Sequence, residues 1–139
     1  MWLQKSVKLQ AKPRGFHLVS DKILKALPEI STIHVGLLHL FLQHTSASLS
    51  INENADSSVR RDMESHFNQL APEDSPYYEH TYEGSDDMPA HIKSALLGCE
   101  MSLPIAQGSL KLGTWQGIYL GEHRNSASAR TLIATLTGE

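Results

Sequence analysis

The chain has 139 residues, 40% of them hydrophobic and 19% charged, with 12 Lys and Arg against 15 Asp and Glu for a formal net charge of −3. That length makes one domain with an ordinary core, and the composition excludes a disordered chain. The acidic balance counts against a general nucleic-acid binder, which needs a basic excess to displace counterions.

Trp2 to Gln10 alternates, with Leu3, Lys5, Val7 and Leu9 on one side, and this period of two predicts a strand with one wetter face. Lys12-Pro13-Arg14-Gly15 breaks it. Ser20 or Asp21 can then cap a short helix whose Ile23, Leu24 and Leu27 share a face, closed by Pro28. Thr32 to Leu42 is apolar on both faces and predicts a central strand covered on both sides. Within it His34 shares a face with His44, and His39 lies on the other. A second alternating run, Ala47, Leu49 and Ile51, predicts a hairpin partner or a neighbouring strand.

Asn52 to Asp56 reads as a polar turn, and Asp56 as the N-cap of a helix from Ser57 to about Leu70 buried through Val59, Met63, Phe67 and Leu70. The acidic segment Ala71 to Asp87 reads as a long loop, a kind that tends to be functional or mobile. Asp87 can cap the next helix, with Pro89 in its first turn, Gly98 as its stop and Met88, Ile92 and Leu96 as its apolar side. Glu100 to Ile105, Leu110 to Leu120 and Ala129 to Thr137 complete about six strands. The predicted fold is an α+β single-domain sandwich, with about three helices on a mixed or largely antiparallel sheet.

The longest apolar stretch, Ile33 to Leu42, is too short to span a bilayer, and the first twenty residues hold no apolar signal region, so neither membrane nor export is expected. A single cysteine, Cys99, forms no internal disulfide and fits a reducing cytoplasm. Eight histidines are the unusual count, because imidazole is both the commonest metal ligand and the group that titrates near neutrality. His34 and His39 read as core residues and His17 and His66 as surface or boundary ones.

Three segments carry chemistry. His44 to Asp56 sets an imidazole, the hydroxyls of Thr45 and Ser46, and the carboxylates of Glu53 and Asp56 around one strand end and one turn. The same residues also make an ordinary polar hairpin with a capping Asp. Tyr77 to Ser94 holds His80, His91, Asp86, Asp87 and Lys93 in one loop–helix unit, a metal half-site or a phosphate site at a helix N-terminus. A solvated acidic loop is its plainer reading. Leu112 to Arg124 offers Trp115 to stack on a heterocycle and Gln116 to read its hydrogen-bonding edge, or simply a core Trp on a glycine-bulged strand.

GLLHLFLQHTSASLSINENAD, DDMPAHIKSALLG and LGTWQGIYLGEHR together resemble the YjbQ family, also called secondary thiamine-phosphate synthase proteins, in order and spacing along almost the whole chain. The resemblance implies a small α+β homotrimer with a polar, histidine-containing pocket near the subunit interface and a weak thiamine-phosphate synthase activity. It carries over His44, His80 and His91 as a metal-binding set. The resemblance also implies Asp in many relatives where this chain has His123, a departure that weakens any mechanism needing a carboxylate there.

The expected function is therefore a cytoplasmic, metal-dependent enzyme acting on a small phosphorylated metabolite, joining a pyrimidine pyrophosphate to a thiazole phosphate with release of pyrophosphate. In that scheme His44, Glu53 and Lys93 are the catalytic candidates. Thr45, Ser46, Asp87, Trp115 and Gln116 are the substrate-binding ones, and a divalent ion, zinc or magnesium, sits on His44, His80 and His91. A zinc-type hydrolase of a small phosphorylated or heterocyclic metabolite and a non-catalytic ligand- or metal-binding protein are the alternatives, because imidazoles suit zinc whereas magnesium prefers carboxylates and waters.

Overall fold

A computed structural model describes all residues, Met1–Glu139. The elements run β1 (Trp2–Leu9), β2 (Gly15–Leu18), α1 (Ser20–Ala26), a 3-10 turn (Pro28–Thr32), β3 (Val35–Leu42), β4 (Ala47–Glu53), α2 (Ser57–Leu70), α3 (Asp87–Leu97), β5 (Glu100–Ala106), β6 (Ser109–Leu110), β7 (Gln116–Glu122) and β8 (Arg130–Gly138). They form an α+β single domain with two antiparallel sheets, ordered β1-β8-β3-β5-β6 and β2-β7-β4.

The inner faces of the two sheets meet in one core. Leu9, Leu38, Leu40, Leu132 and Leu136 come from the large sheet, Leu49, Ile118 and Leu120 from the small one, and Ile23 and Leu27 from the α1 segment. Helices α2 and α3 lie on the other face of the small sheet, against β2 and β4. Strand β7 is thus the strand covered on both sides. Ile118 and Leu120 enter the core while Tyr119 and Gly121 turn toward the helices, and Gly117 to Glu122 are all buried. A methyl at Gly121 would overlap the Ser48 hydroxyl and the His123 ring, which explains a glycine in mid-strand.

Several sequence expectations are corrected. Strand β3 is central in its sheet, but only Leu38, Leu40 and Leu42 are buried; Val35, Leu37 and Phe41 are exposed at 63%, 49% and 41%. Of the first residues of the predicted strand, Thr32 ends the 3-10 turn that Pro28 opens, and Ile33 and His34 lie between that turn and β3. Strands β3 and β4 are neither a hairpin nor hydrogen-bonded neighbours, because the chain crosses between sheets at Gln43–Ser46. The predicted strand from Leu110 to Leu120 is split by the Gly113 turn, and the short β2 was not anticipated among the residues after Gly15.

The helices differ in one instructive respect. Asp56 caps α2 as expected, its carboxylate accepting from Ser58 N–H at 2.9 Å, although Leu70 is exposed. On α3 the predicted apolar side is not the buried one, since Leu96 is 60% exposed while Asp87, Pro89, Ala90, Lys93 and Ser94 are buried. Polar ties dock this helix, among them Ser94 Oγ donating to the Ala47 carbonyl at 2.7 Å. Asp86 occupies the N-cap position, so Asp87 becomes the first helical residue and its carboxylate is free for other partners. Leu40→Ala is expected to lower unfolding free energy by about 2–5 kcal/mol in a urea titration, and Phe41→Ser, on the exposed face beside it, by far less under dilute conditions.

Candidate functional site

The candidate site lies where the β3–β4 crossover, the loop before α3 and the end of β7 converge. Asp87 and His91 are four residues apart on α3 and therefore share its face. The fully buried Asp87 Oδ2 is 2.6 Å from His80 Nε2 and 3.1 Å from His91 Nε2, and Oδ1 accepts from Arg124 Nη1 at 2.7 Å. Arg124 also donates to Asp86 Oδ2 at 2.9 Å and to the Glu83 carbonyl at 2.8 Å, fastening the loop to the end of β7. Burial opposes ionisation of Asp87, but the His80 hydrogen bond and the charges of His91 and Arg124 outweigh it and hold the carboxyl below its ordinary range.

One ligand atom from each of His80, Asp87 and His91 lies within 4.8 Å of the other two. A hydrogen bond assigns one nitrogen of His91. The Thr45 carbonyl can only accept, so the 2.8 Å contact to His91 Nδ1 puts a proton on that nitrogen. In the neutral ring Nε2 is then a lone pair, and it faces a carboxylate oxygen 3.1 Å away. Two acceptors at that distance call for a cation between them, either a proton or a metal ion. A backbone carbonyl holding the far nitrogen is also how ligating histidines are oriented. The donor set thus fits a divalent transition ion.

The sequence candidates divide by position. Thr45 and Ser46 border the site through their carbonyls, Ser46 accepting from Arg130 Nη2 at 3.2 Å. His44 lies outside the His80–Asp87–His91 group: its Nε2 accepts from Thr131 N–H at 2.8 Å and its Nδ1 is 3.3 Å from Arg130 Nη1. Burial, then the Arg130 charge, lowers its affinity for a second proton. Lys93 is fully buried and donates to Asn68 Oδ1 at 2.7 Å, with burial and the Arg14 charge lowering its pKa, so it points beneath α2.

Glu53, Trp115 and Gln116 are at the far end of the small sheet. Register pairs Glu53 with Gln116 and Ala47 with Glu122, six residues and roughly 20 Å apart along the strands. There Glu53 Oε2 accepts from the Ala55 and Asp56 N–H groups, Gln116 Oε1 accepts from Gly113 N–H, and Trp115 is 64% exposed.

Arg124 and the Glu122–Arg130 pair were not anticipated. Glu122 is fully buried and takes Arg130 Nε at 2.7 Å and Nη2 at 2.6 Å, a bidentate link from β7 to β8 across the two sheets. Glu122 closes an alternating strand in the sequence, but nothing marked its arginine eight residues on. Beside them His123 is buried, with Nε2 2.9 Å from Ser48 Oγ.

The class is therefore a two-sheet α+β domain with a His–Asp–His group at one end of its small sheet. The chain belongs to the YjbQ family: the model of UPF0047 YjbQ-like proteins matches residues 5–139. It is 57% identical to the UPF0047 protein YjbQ of Escherichia coli O157:H7 over 139 residues, the full length of both. It is 44% identical to a UPF0047 protein of Synechocystis, covering 98% of this chain and 92% of that one. Among solved structures, an uncharacterized yjbq/upf0047 protein of Clostridium acetobutylicum superposes with a TM-score of 0.83 at 34% identity, over 96% and 99% of the two chains. A YbjQ-like protein of unknown function from Sulfolobus solfataricus has the same fold, with a TM-score of 0.87 at 21% identity over 100% and 99% of the chains.

Burial, followed by the charges of Lys93, Arg130 and Arg14, pushes His123 from the ordinary 6.5 down to about 3. The folded state therefore refuses a proton that the unfolded chain accepts between those values, and stability falls as pH drops from 6.5 toward 3. This one group accounts for at most about 5 kcal/mol of that loss. His123→Gln is expected to flatten the pH dependence of the urea midpoint between pH 6.5 and 4; an unchanged slope contradicts the assignment.

Proposed function

We propose that this chain is a divalent-metal-dependent enzyme acting on a small phosphorylated metabolite, with His80, Asp87 and His91 holding the metal. The observation that carries this reading is His91 Nε2 set 3.1 Å from Asp87 Oδ2, with the far nitrogen fixed by the Thr45 carbonyl and His80 Nε2 on the same oxygen. When bound, such an ion supplies Lewis-acid polarisation of a substrate oxygen. The protein's own residues do the rest. Arg124 holds Asp87 in place and ionised, and the β3–β4 crossover orients His91.

Two imidazoles and one carboxylate favour zinc over magnesium, and with it hydrolysis of a phosphorylated or heterocyclic substrate. The coupling of a pyrimidine pyrophosphate to a thiazole phosphate is the reading that the family resemblance supports. In that scheme Trp115, Gln116 and Glu53 act at a separate end of the small sheet, and the buried Lys93 acts by supporting α3. A metal carrier without turnover is the outcome if binding is found and no reaction accompanies it. Purified protein is expected to hold close to one zinc per chain by elemental analysis. His80→Ala and His91→Ala should lose it, and His44→Ala, outside the group, should retain it. Loss in His44→Ala with retention in His80→Ala would instead favour a different ligand set.

We further propose a cytoplasmic homotrimer. The exposed Val35, Leu37 and Phe41 on the outer face of β3, with Trp2 at 77% exposure on the same sheet, leave an apolar surface suited to a second copy. The unpaired Cys99 fits a reducing compartment, and no helix is long and apolar enough to cross a membrane. Light scattering after size exclusion should give three chains for the native protein and one for Leu37→Lys; a native monomer contradicts the assembly.

A further inference from the structure

The end of β3 and the start of β8 border an open groove whose lining includes Phe41, Gln43, His44, Thr45, Ser46 and Arg130, Phe41 also being on the outer face of β3. Arg130 is only 7% exposed, and its hydrogen bonds are almost all taken. Nε and Nη2 are spent on Glu122 and the Ser46 carbonyl. Nη1 faces His44 Nδ1 at 3.3 Å.

That last contact pairs two donors. The Thr131 N–H can only donate, so its 2.8 Å bond makes His44 Nε2 the lone-pair nitrogen. The ring then carries its proton on Nδ1, toward a guanidinium that also only donates. Burial and the Arg130 charge keep the ring from taking a second proton. A guanidinium edge that is nine-tenths buried and lacks an acceptor is costly, and the groove is the side from which an acceptor can reach it.

We propose that this groove is an oxyanion subsite, in which a phosphate or carboxylate oxygen of the substrate is bound between His44 Nδ1–H and Arg130 Nη1–H. Glu122 already neutralises Arg130, so directed hydrogen bonds hold the ligand and long-range charge contributes little. The subsite deepens the reading proposed above and rests on it: Thr45 lines the groove and its carbonyl orients His91, so the groove and the His80–Asp87–His91 group share this residue.

No metal enters the subsite, and the test is made on chelator-treated protein. Long-range proton–nitrogen NMR of the uniformly labelled chain is expected to show His44 as the Nδ1–H tautomer. Inorganic phosphate or acetate, titrated to tens of millimolar at constant ionic strength, should shift His44 Nδ1 and the Arg130 side chain saturably. Phosphate alone doing so assigns a phosphoryl group, and acetate alone a carboxylate. His44→Phe should weaken binding by at least about tenfold. An Nε2–H tautomer, no saturable shift with either anion, or undiminished affinity in a folded His44→Phe overturns the subsite. If that variant does not fold, the tautomer and the titration of the native chain decide alone. A protein that binds no metal yet passes this test loses the metal reading and keeps the subsite.

Discussion

The arrangement at the candidate site depends on one buried carboxylate. Asp87 is 2% exposed, and a charge taken that far from water is tolerated only when it is fully paired. Its partners come from three separate pieces of chain: His80 in the loop, His91 on the same helix, and Arg124 just beyond β7. Satisfying one side chain therefore closes the long acidic loop over α3 and ties both to the small sheet. The same requirement brings two imidazoles to one oxygen, His80 Nε2 at 2.6 Å and His91 Nε2 at 3.1 Å. Fold and candidate chemistry meet at this point.

A second pair sets the frame behind it. Glu122 and Arg130 join the end of β7 to the start of β8, and so the small sheet to the large one, by a bidentate bond in a buried position. Because Arg130 is fixed there, its remaining edge is held toward His44. The crossover Gln43–Ser46 runs between the two pairs. Its Thr45 carbonyl orients His91 and its Ser46 carbonyl accepts from Arg130, so three consecutive residues from His44 serve both sides.

Much of this was legible in the sequence and some of it was not, for identifiable reasons. Alternation in Trp2–Leu9 marks which residues face inward, and Asp56 announces α2, because side-chain period and capping are local properties. Alternation does not name the partner strand, and so β3 and β4 read as neighbours although they belong to different sheets. Nor does it reveal that Val35, Leu37 and Phe41 are exposed, since a strand apolar on both faces reads the same whether or not a helix covers its second face. On α3 Leu96 is exposed and Met88 and Ile92 are only half-buried, while Lys93 and Ser94 are buried and hydrogen-bonded, a pattern hydropathy cannot detect. The histidines and Asp87 stood out by type, while Arg124 did not, because a lone arginine after a strand has no periodic or spacing signature. Glu53 and Gln116 do lie together, as cross-strand partners, but strand direction puts them at the end away from His91.

The central claim is that His80, Asp87 and His91 form a ligand set for a divalent transition ion. X-ray absorption at the metal edge of the purified protein tests it most directly, since it counts and types the donor atoms. The account predicts zinc with two imidazole nitrogens and at least one carboxylate oxygen at about 2.0–2.2 Å. A first shell of oxygen alone, or protein that takes up no transition metal at all, would contradict it.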